Sequence, residues 1–153
     1  MSRRPSISEL TDHLGFWLRA VSNHVSHAFA ARLAARDVSV AEWVAMRTLY
    51  GRGPTPPSRL AEEMGMTRGA ITKLADRLAA RSLLVRQASP EDGRAQTLAL
   101  TPEGEALTPQ LAALADQNDA AFFGALSEAE RATLERLLRR VAEHGRMTTP
   151  PIE

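Results

Sequence analysis

The sequence predicts a mainly α fold carrying one two-stranded β-hairpin, and three observations predict it. Apolar residues recur every three to four positions through most of the chain, as on helices with one buried face. The period drops to about two only between Leu84 and Leu100. In the middle of that region, Ser89-Pro90-Glu91-Asp92-Gly93-Arg94 is rich in turn formers. One hairpin cannot build a sheet core of its own. It must be an appendage on helices, and its charged tip is placed to touch something.

The first helical pattern runs from about Ser8 to Arg36, with Leu10, Leu14, Trp17, Val21, Val25 and Ala28 on one stripe and a Ser6/Glu9 capping box at its start. At about seven or eight turns it is long for a small protein, so its stripe is expected to meet more than one partner, a second subunit included. Ser39 and Glu42 open a second helix through Trp43, Met46, Arg47 and Tyr50, closed by Gly51 and Gly53. Pro54, Pro56 and Pro57 form a loop whose last proline suits a first helical turn. A helix of about two turns follows from Ser58 to Met64, broken by Gly65. Thr67 caps a helix from Arg68 to about Arg81, and the strands 84–88 and 95–100 come next. Thr101-Pro102 starts a helix that holds Leu107, Leu111, Leu114 and Phe122, with a kink expected at Pro109. Ser127 and Glu130 start the last helix, where Leu134, Leu137, Leu138 and Val141 share a face. Met147 to Glu153 is expected to be disordered.

Composition narrows the function. At 153 residues with 44% hydrophobic and 24% charged residues, the chain is a folded protein of one domain, or of one domain with appended dimerisation helices. Without Cys it has no disulfide, no thiolate metal site and no thiol redox chemistry. No apolar run reaches a membrane span, and no apolar stretch follows Met1-Ser2-Arg3-Arg4-Pro5 as in a signal peptide, so a cytoplasmic protein without a membrane partner is expected. The net charge of +1 does not point to nucleic acid. Of the 19 basic residues only Lys73 is Lys, an Arg excess that follows the Ala-rich composition, so placement rather than number carries the argument.

On the helix that begins at Arg68, Ile71, Leu74, Ala75 and Leu78 fall between about 240° and 340°, while Arg68, Gly69, Thr72, Lys73 and Asp76 lie between about 0° and 140°. The first group must pack inward. The second offers cations, a hydroxyl and little bulk, which fits a DNA major groove as well as open solvent. The preceding segment favours DNA. Ala61, Gly65 and Ile71 supply the small crossing residue, the turn and the branched lock of a helix-turn-helix, with Leu60, Met64 and Leu74 inward. A hairpin after it makes a winged helix, whose wing can reach the adjacent minor groove.

Three stretches carry a closer resemblance: Ser58-Arg59-Leu60-Ala61-Glu62-Glu63-Met64-Gly65, then Thr67-Arg68-Gly69-Ala70-Ile71-Thr72-Lys73-Leu74, and Asp92-Gly93-Arg94 followed by Leu100-Thr101-Pro102-Glu103-Gly104. On these residues the chain resembles the MarR family of bacterial transcriptional regulators, whose wing reads D-x-R and then L-T-x-x-G. The resemblance spans roughly residues 8 to 145 and is strongest from 58 to 104. It implies a winged helix-turn-helix at 39–101 and a discontinuous helical dimerisation region at 1–38 and 102–153. It further implies a homodimer on a pseudo-palindromic operator in double-stranded DNA, most simply a repressor. Arg68, Gly69, Thr72 and Lys73, with Arg77 one turn on, would face the major groove. Arg94 would enter the minor groove, and Asp92 would orient the wing. One departure stands out: where the family usually has Gly between the recognition helix and the first strand, this chain has Arg81-Ser82-Leu83, and Ser costs more than Gly in a left-handed cap.

Family members often release DNA when a small aromatic or phenolic acid binds. His13, Trp17, His24 and His27 lie within about 80° on the first helix. With Trp43, Arg47 and Tyr50 they would make an aromatic, cationic wall for such an anion, or else serve as core and rim. His24 and His27 share a metal-pair spacing, but acidic ligands lie turns away, so neither metal nor cofactor is expected. An acid–base enzyme using His13 or His24 with Asp12 has no supporting motif. The alternative to DNA binding is a winged helix used for protein contacts, which predicts no salt-dependent affinity for DNA.

Overall fold

The computed structural model describes residues 5 to 145; the expected disorder of 147–153 lies outside them. The elements are α1 (Leu14–Ala34), α2 (Val40–Leu49), α3 (Pro57–Met64), α4 (Arg68–Ala80), β1 (Leu84–Ala88), β2 (Gln96–Leu100), α5 (Pro102–Phe123) and α6 (Glu128–His144). The fold is mainly helical with one hairpin, and the hairpin follows a helix-turn-helix: a winged helix.

Four side-chain caps begin helices where the sequence places them. Ser39, Thr67, Thr101 and Ser127 each accept from the backbone N–H three residues on, in every case at 3.1 Å. The start of the first helix differs from expectation. Leu10–Asp12 forms a separate 3-10 turn, His13 is extended, and α1 begins only at Leu14. The Asp12 carboxylate accepts from the Glu9 N–H at 2.9 Å, which closes the start of this short turn. At its other end the His13 ring and the Trp17 indole bond the Glu9 and Thr11 carbonyls, at 3.0 and 2.9 Å, which a continuing helix would use for its own N–H groups. The capping box is thus Glu9/Asp12, not Ser6/Glu9.

The core joins both ends of the chain. Leu33 of α1, Met46 and Leu49 of α2, Leu60 of α3, Ile71, Leu74 and Leu78 of α4, Leu98 of β2 and Leu111 of α5 are all fully buried. Ala61 and Met64 are buried with them, and Gly65 turns the chain with φ 64°. The helix-turn-helix is therefore locked by the side chains the spacing selected. β1 and β2 pair antiparallel from Leu84↔Leu100 to Ala88↔Gln96. The hairpin has a third partner that the proline-rich loop concealed: Thr55 and Leu98 exchange backbone hydrogen bonds, both 2.8 Å. Thr55 precedes Pro56, which biases it to the extended backbone a bridge needs. α5 runs on across Pro109.

α6 buries none of its residues. It is tied to α5 by the Arg131–Asp119 ion pair and leaves between them a groove of about 390 Å³ lined by Phe123, Leu134 and Leu138. No helix among the described residues is long and apolar enough to cross a membrane.

Candidate nucleic-acid interface

The second helix of the helix-turn-helix presents its outward face to solvent. Arg68, Gly69, Thr72 and Lys73 are exposed. No carboxylate of the described residues pairs with Arg68 or Lys73, so both charges are free for a ligand. Nothing lies within 4 Å of where a Gly69 side chain would begin, so a large body can approach the backbone there. The Thr72 hydroxyl donates to its own helix, to the Arg68 carbonyl at 3.0 Å, and its oxygen remains an acceptor.

Arg77 sits differently. Its nearest carboxylate is Glu42 of α2, at 4.0 Å, and the same carboxylate faces Arg81 at 3.6 Å. Arg81 also donates to the carbonyl of Asp37 at the α1–α2 corner. Arg77 therefore belongs to a clamp between α2 and the end of α4 and is not free in the way Arg68 is. Sequence reasoning placed Glu42 only at the start of a helix and missed its contact with α4, because Glu42 is only 8% exposed and makes no visible motif with residues 35 and 39 positions away.

The wing tip is ordered by its own polar side chains. Ser89 Oγ accepts from the N–H groups of Glu91 and Asp92, both at 3.3 Å. Asp92 Oδ1 accepts from the Arg94 N–H at 3.1 Å, and the Arg94 side chain is exposed. At the wing base, Arg86 of β1 pairs with Asp76 of α4 at 2.5 Å, another contact the sequence did not disclose. The available signal was Asp76 itself, a lone carboxylate in a cationic face.

The aromatic and imidazole groups divide into two sets. Trp43 stands edge-on to Phe29, ring centres 6.3 Å apart, and the Arg47 guanidinium lies 6.0 Å from the Tyr50 ring centre. Trp17 instead packs edge-on to Phe16 and donates to the Thr11 carbonyl at 2.9 Å, while His13 bonds the Glu9 carbonyl at 3.0 Å. His24 is exposed. Trp17 and Phe29 are twelve residues apart on one helix, about 18 Å along its axis. Within one protomer His13 and Trp17 therefore do not join Trp43, Arg47 and Tyr50 in one wall. A shared helical face gives direction around the axis, not position along it.

Two further features lie behind this region. A cavity of about 240 Å³ between α1 and α5 is lined by Val25, Ser26, Phe29, Ala115, Asn118 and Asp119. Asn118, 4% exposed, donates to the Val25 carbonyl at 3.1 Å, and its Oδ1 has no partner among the described residues. Among the described residues no cluster of three His, Cys, Asp or Glu side chains is placed to hold a metal.

Comparison with known proteins agrees with this geometry. A sequence model of the MarR family matches residues 38–95, the span from α2 to the wing. The chain is 30% identical over 133 residues to a protein assigned as transcriptional regulator of the hcr operon of Thauera aromatica, covering 86% of this chain and 80% of that one. It superposes on a cysteine-to-serine mutant of E. coli MarR in complex with operator DNA with a TM-score of 0.73 at 26% identity, over 84% of this chain and 92% of that one. It also superposes on CouR of Rhodococcus jostii, bound to p-coumaroyl-CoA, with a TM-score of 0.74 at 25% identity, over 96% of this chain and all of that one (100%). The chain belongs to the MarR family of transcriptional regulators, a family of regulators and not of enzymes.

Proposed function

We propose that the chain acts as a cytoplasmic homodimeric repressor that binds a pseudo-palindromic operator and leaves it when a small aromatic or phenolic ligand binds. The observation that carries the DNA half of this reading is the set of exposed cations without ion-pair partners among the described residues, Arg68 and Lys73 on α4 and Arg94 on the wing, placed on one winged helix. In this reading α4 enters the major groove with Arg68, Gly69, Thr72 and Lys73, and Arg94 reaches the minor groove. Asp92 orients the wing backbone, and Arg77 supports α4 through Glu42 before it touches DNA. Residues 39–101 form the DNA-binding unit, while 1–38 and 102–153 form the dimerisation region.

The homodimer is supported by apolar side chains that the protomer leaves in water: Leu14 is 87% exposed and Val141 64%. Both lie on terminal elements that bury little of their own surface. The effector is supported by the α1–α5 cavity, where the unpartnered Asn118 Oδ1 suits a donor such as a phenol and the Phe29–Trp43 pair supplies aromatic surface. CouR in complex with p-coumaroyl-CoA shows a relative of this fold holding an aromatic acid thioester.

The test is fluorescence anisotropy with the duplex upstream of the protein's own gene, over a range of salt and with a panel of aromatic acids and phenols. Arg94→Ala is expected to weaken binding with the dimer intact. Lys73→Ala is expected to cost about 1–3 kcal/mol and to lower the salt slope by about one. Arg140→Ala, on the exposed face of α6, should do neither. Equal losses at Lys73 and Arg140 would place the DNA face elsewhere. Affinity that ignores salt would favour a protein-contact role.

A further inference from the structure

A carboxylate stands where the DNA face should be most cationic. Taking Arg68 as zero, Thr72 lies at about 40°, Asp76 at about 80° and Lys73 at about 140° around α4. Asp76 is thus at the middle of the outward face, one turn beyond Thr72. Its side chain is 61% exposed. Left alone it would be pressed toward phosphates, or buried against base edges as an uncompensated charge. It is not left alone. Arg86, a β1 residue whose side chain is 30% exposed, reaches under the wing and places Nη2 2.5 Å from Asp76 Oδ1. The same nitrogen lies 3.4 Å from the Thr72 carbonyl. One guanidinium therefore touches two successive turns of the recognition helix from the strand that carries the wing.

An exposed ion pair of this kind adds little to folding stability. Its effect is larger where water leaves, that is, when a duplex closes over it. We infer that Arg86 is a positioning residue of the DNA-binding face. It neutralises Asp76 and holds the carboxylate toward β1, away from the duplex, so that it sets DNA affinity without touching DNA. The inference rests on the DNA reading above and adds to it a residue outside the outward face of α4 and outside the D-x-R of the wing.

The experiment compares the full-length protein with Arg86→Ala, Asp76→Asn, the double variant and Arg86→Lys. The probe is a duplex that the unaltered protein enriches from a random pool of about 30 base pairs, three helical turns. Arg86→Ala is expected to bind about tenfold more weakly or worse. Asp76→Asn alone should stay within about threefold of the unaltered protein, and the double variant should return to that range, because the carboxylate that made the loss is gone. Arg86→Lys keeps the neutralising charge and should hold most of the affinity, which keeps the test decisive if the alanine variant folds poorly.

A double variant as weak as Arg86→Ala would overturn the inference, because Arg86 would then act by its own contact with DNA. So would a loss for Asp76→Asn equal to that of Arg86→Ala, or a changed base preference in Asp76→Asn, since either makes Asp76 a reader. Unchanged affinity in Arg86→Ala would remove the role altogether. If the unaltered protein enriches no duplex, the DNA reading itself falls, and this inference with it.

Discussion

At Gly104 there is no room for a side chain. A Cβ there would lie 2.2 Å from the Leu83 carbonyl oxygen and 3.3 Å from Leu100 Cβ. The first turn of α5 is held against the entrance to β1 by Thr101, whose N–H donates to the Leu83 carbonyl at 3.1 Å and whose hydroxyl donates to the Ser82 carbonyl at 2.6 Å. Gly104→Ala is therefore expected to cost about 1–3 kcal/mol in urea unfolding, with the wing shifted as the backbone gives way. Ser82 is the reverse case. It holds φ 58°, the left-handed cap the sequence departure implied, and pays a steric cost that Gly would not. Ser82→Gly should stabilise the protein by about 0.5–1 kcal/mol, read as a higher urea midpoint at unchanged m. Both residues are visible in the sequence. Ser82 declares its problem there, because a helix-to-strand junction needs a left-handed residue. Gly104 shows only as a motif letter, because the atom it avoids belongs to a carbonyl 21 residues earlier.

Helices of this chain begin and end by local rules. α3 and α4 close with the same pair of backbone bonds, from Gly65 and Met66 back to Glu62 and Ala61, and from Ser82 and Leu83 back to Ala79 and Leu78. α1 closes likewise through Asp37 at φ 56°. At the start of α6 the Ser127–Glu130 capping box has a titration consequence. The Ser127 backbone N–H, then its hydroxyl, holds the Glu130 carboxyl below the usual carboxylate range. A lowered folded-state value means that the ionised box supports the helix fully above the ordinary carboxylate pKa. That support fades as pH falls through the lowered one. An NMR titration should find Glu130 below the usual carboxylate range, and Ser127→Ala should move it back toward that range. The N-terminal segment shows where local rules misled: the apolar spacing continues through His13, but His13 is extended and side chains of His13 and Trp17 take the Glu9 and Thr11 carbonyls that a continuous helix would use.

As a whole, the protomer is built around one core with apolar margins left open. Leu33 and Leu111 from the flanking helices are buried with the winged-helix residues, so the head and its supports share one packed core. Leu14, Trp17, Leu137, Leu138 and Val141 remain in water. If these margins meet in a homodimer, a charge placed there must be buried unpaired. Val141→Glu should weaken self-association by about 3 kcal/mol, roughly a hundredfold, in sedimentation equilibrium. The melting temperature of the unaltered protein should rise with concentration, and that of the variant should depend on it less.

By itself the sequence determined every helix start but the first, the turn at Gly65, the hairpin and the inward face of α4. These follow from caps, turn residues and periodicity, which act over a few residues. Only the tertiary structure decided what depends on distant segments meeting. It gave β2 a second neighbour in Thr55, drew Arg77 and Arg81 to Glu42, set Arg86 against Asp76, and parted Trp17 from Trp43. Periodicity tells which side of a helix faces inward. Packing alone tells how far along that side each neighbour arrives.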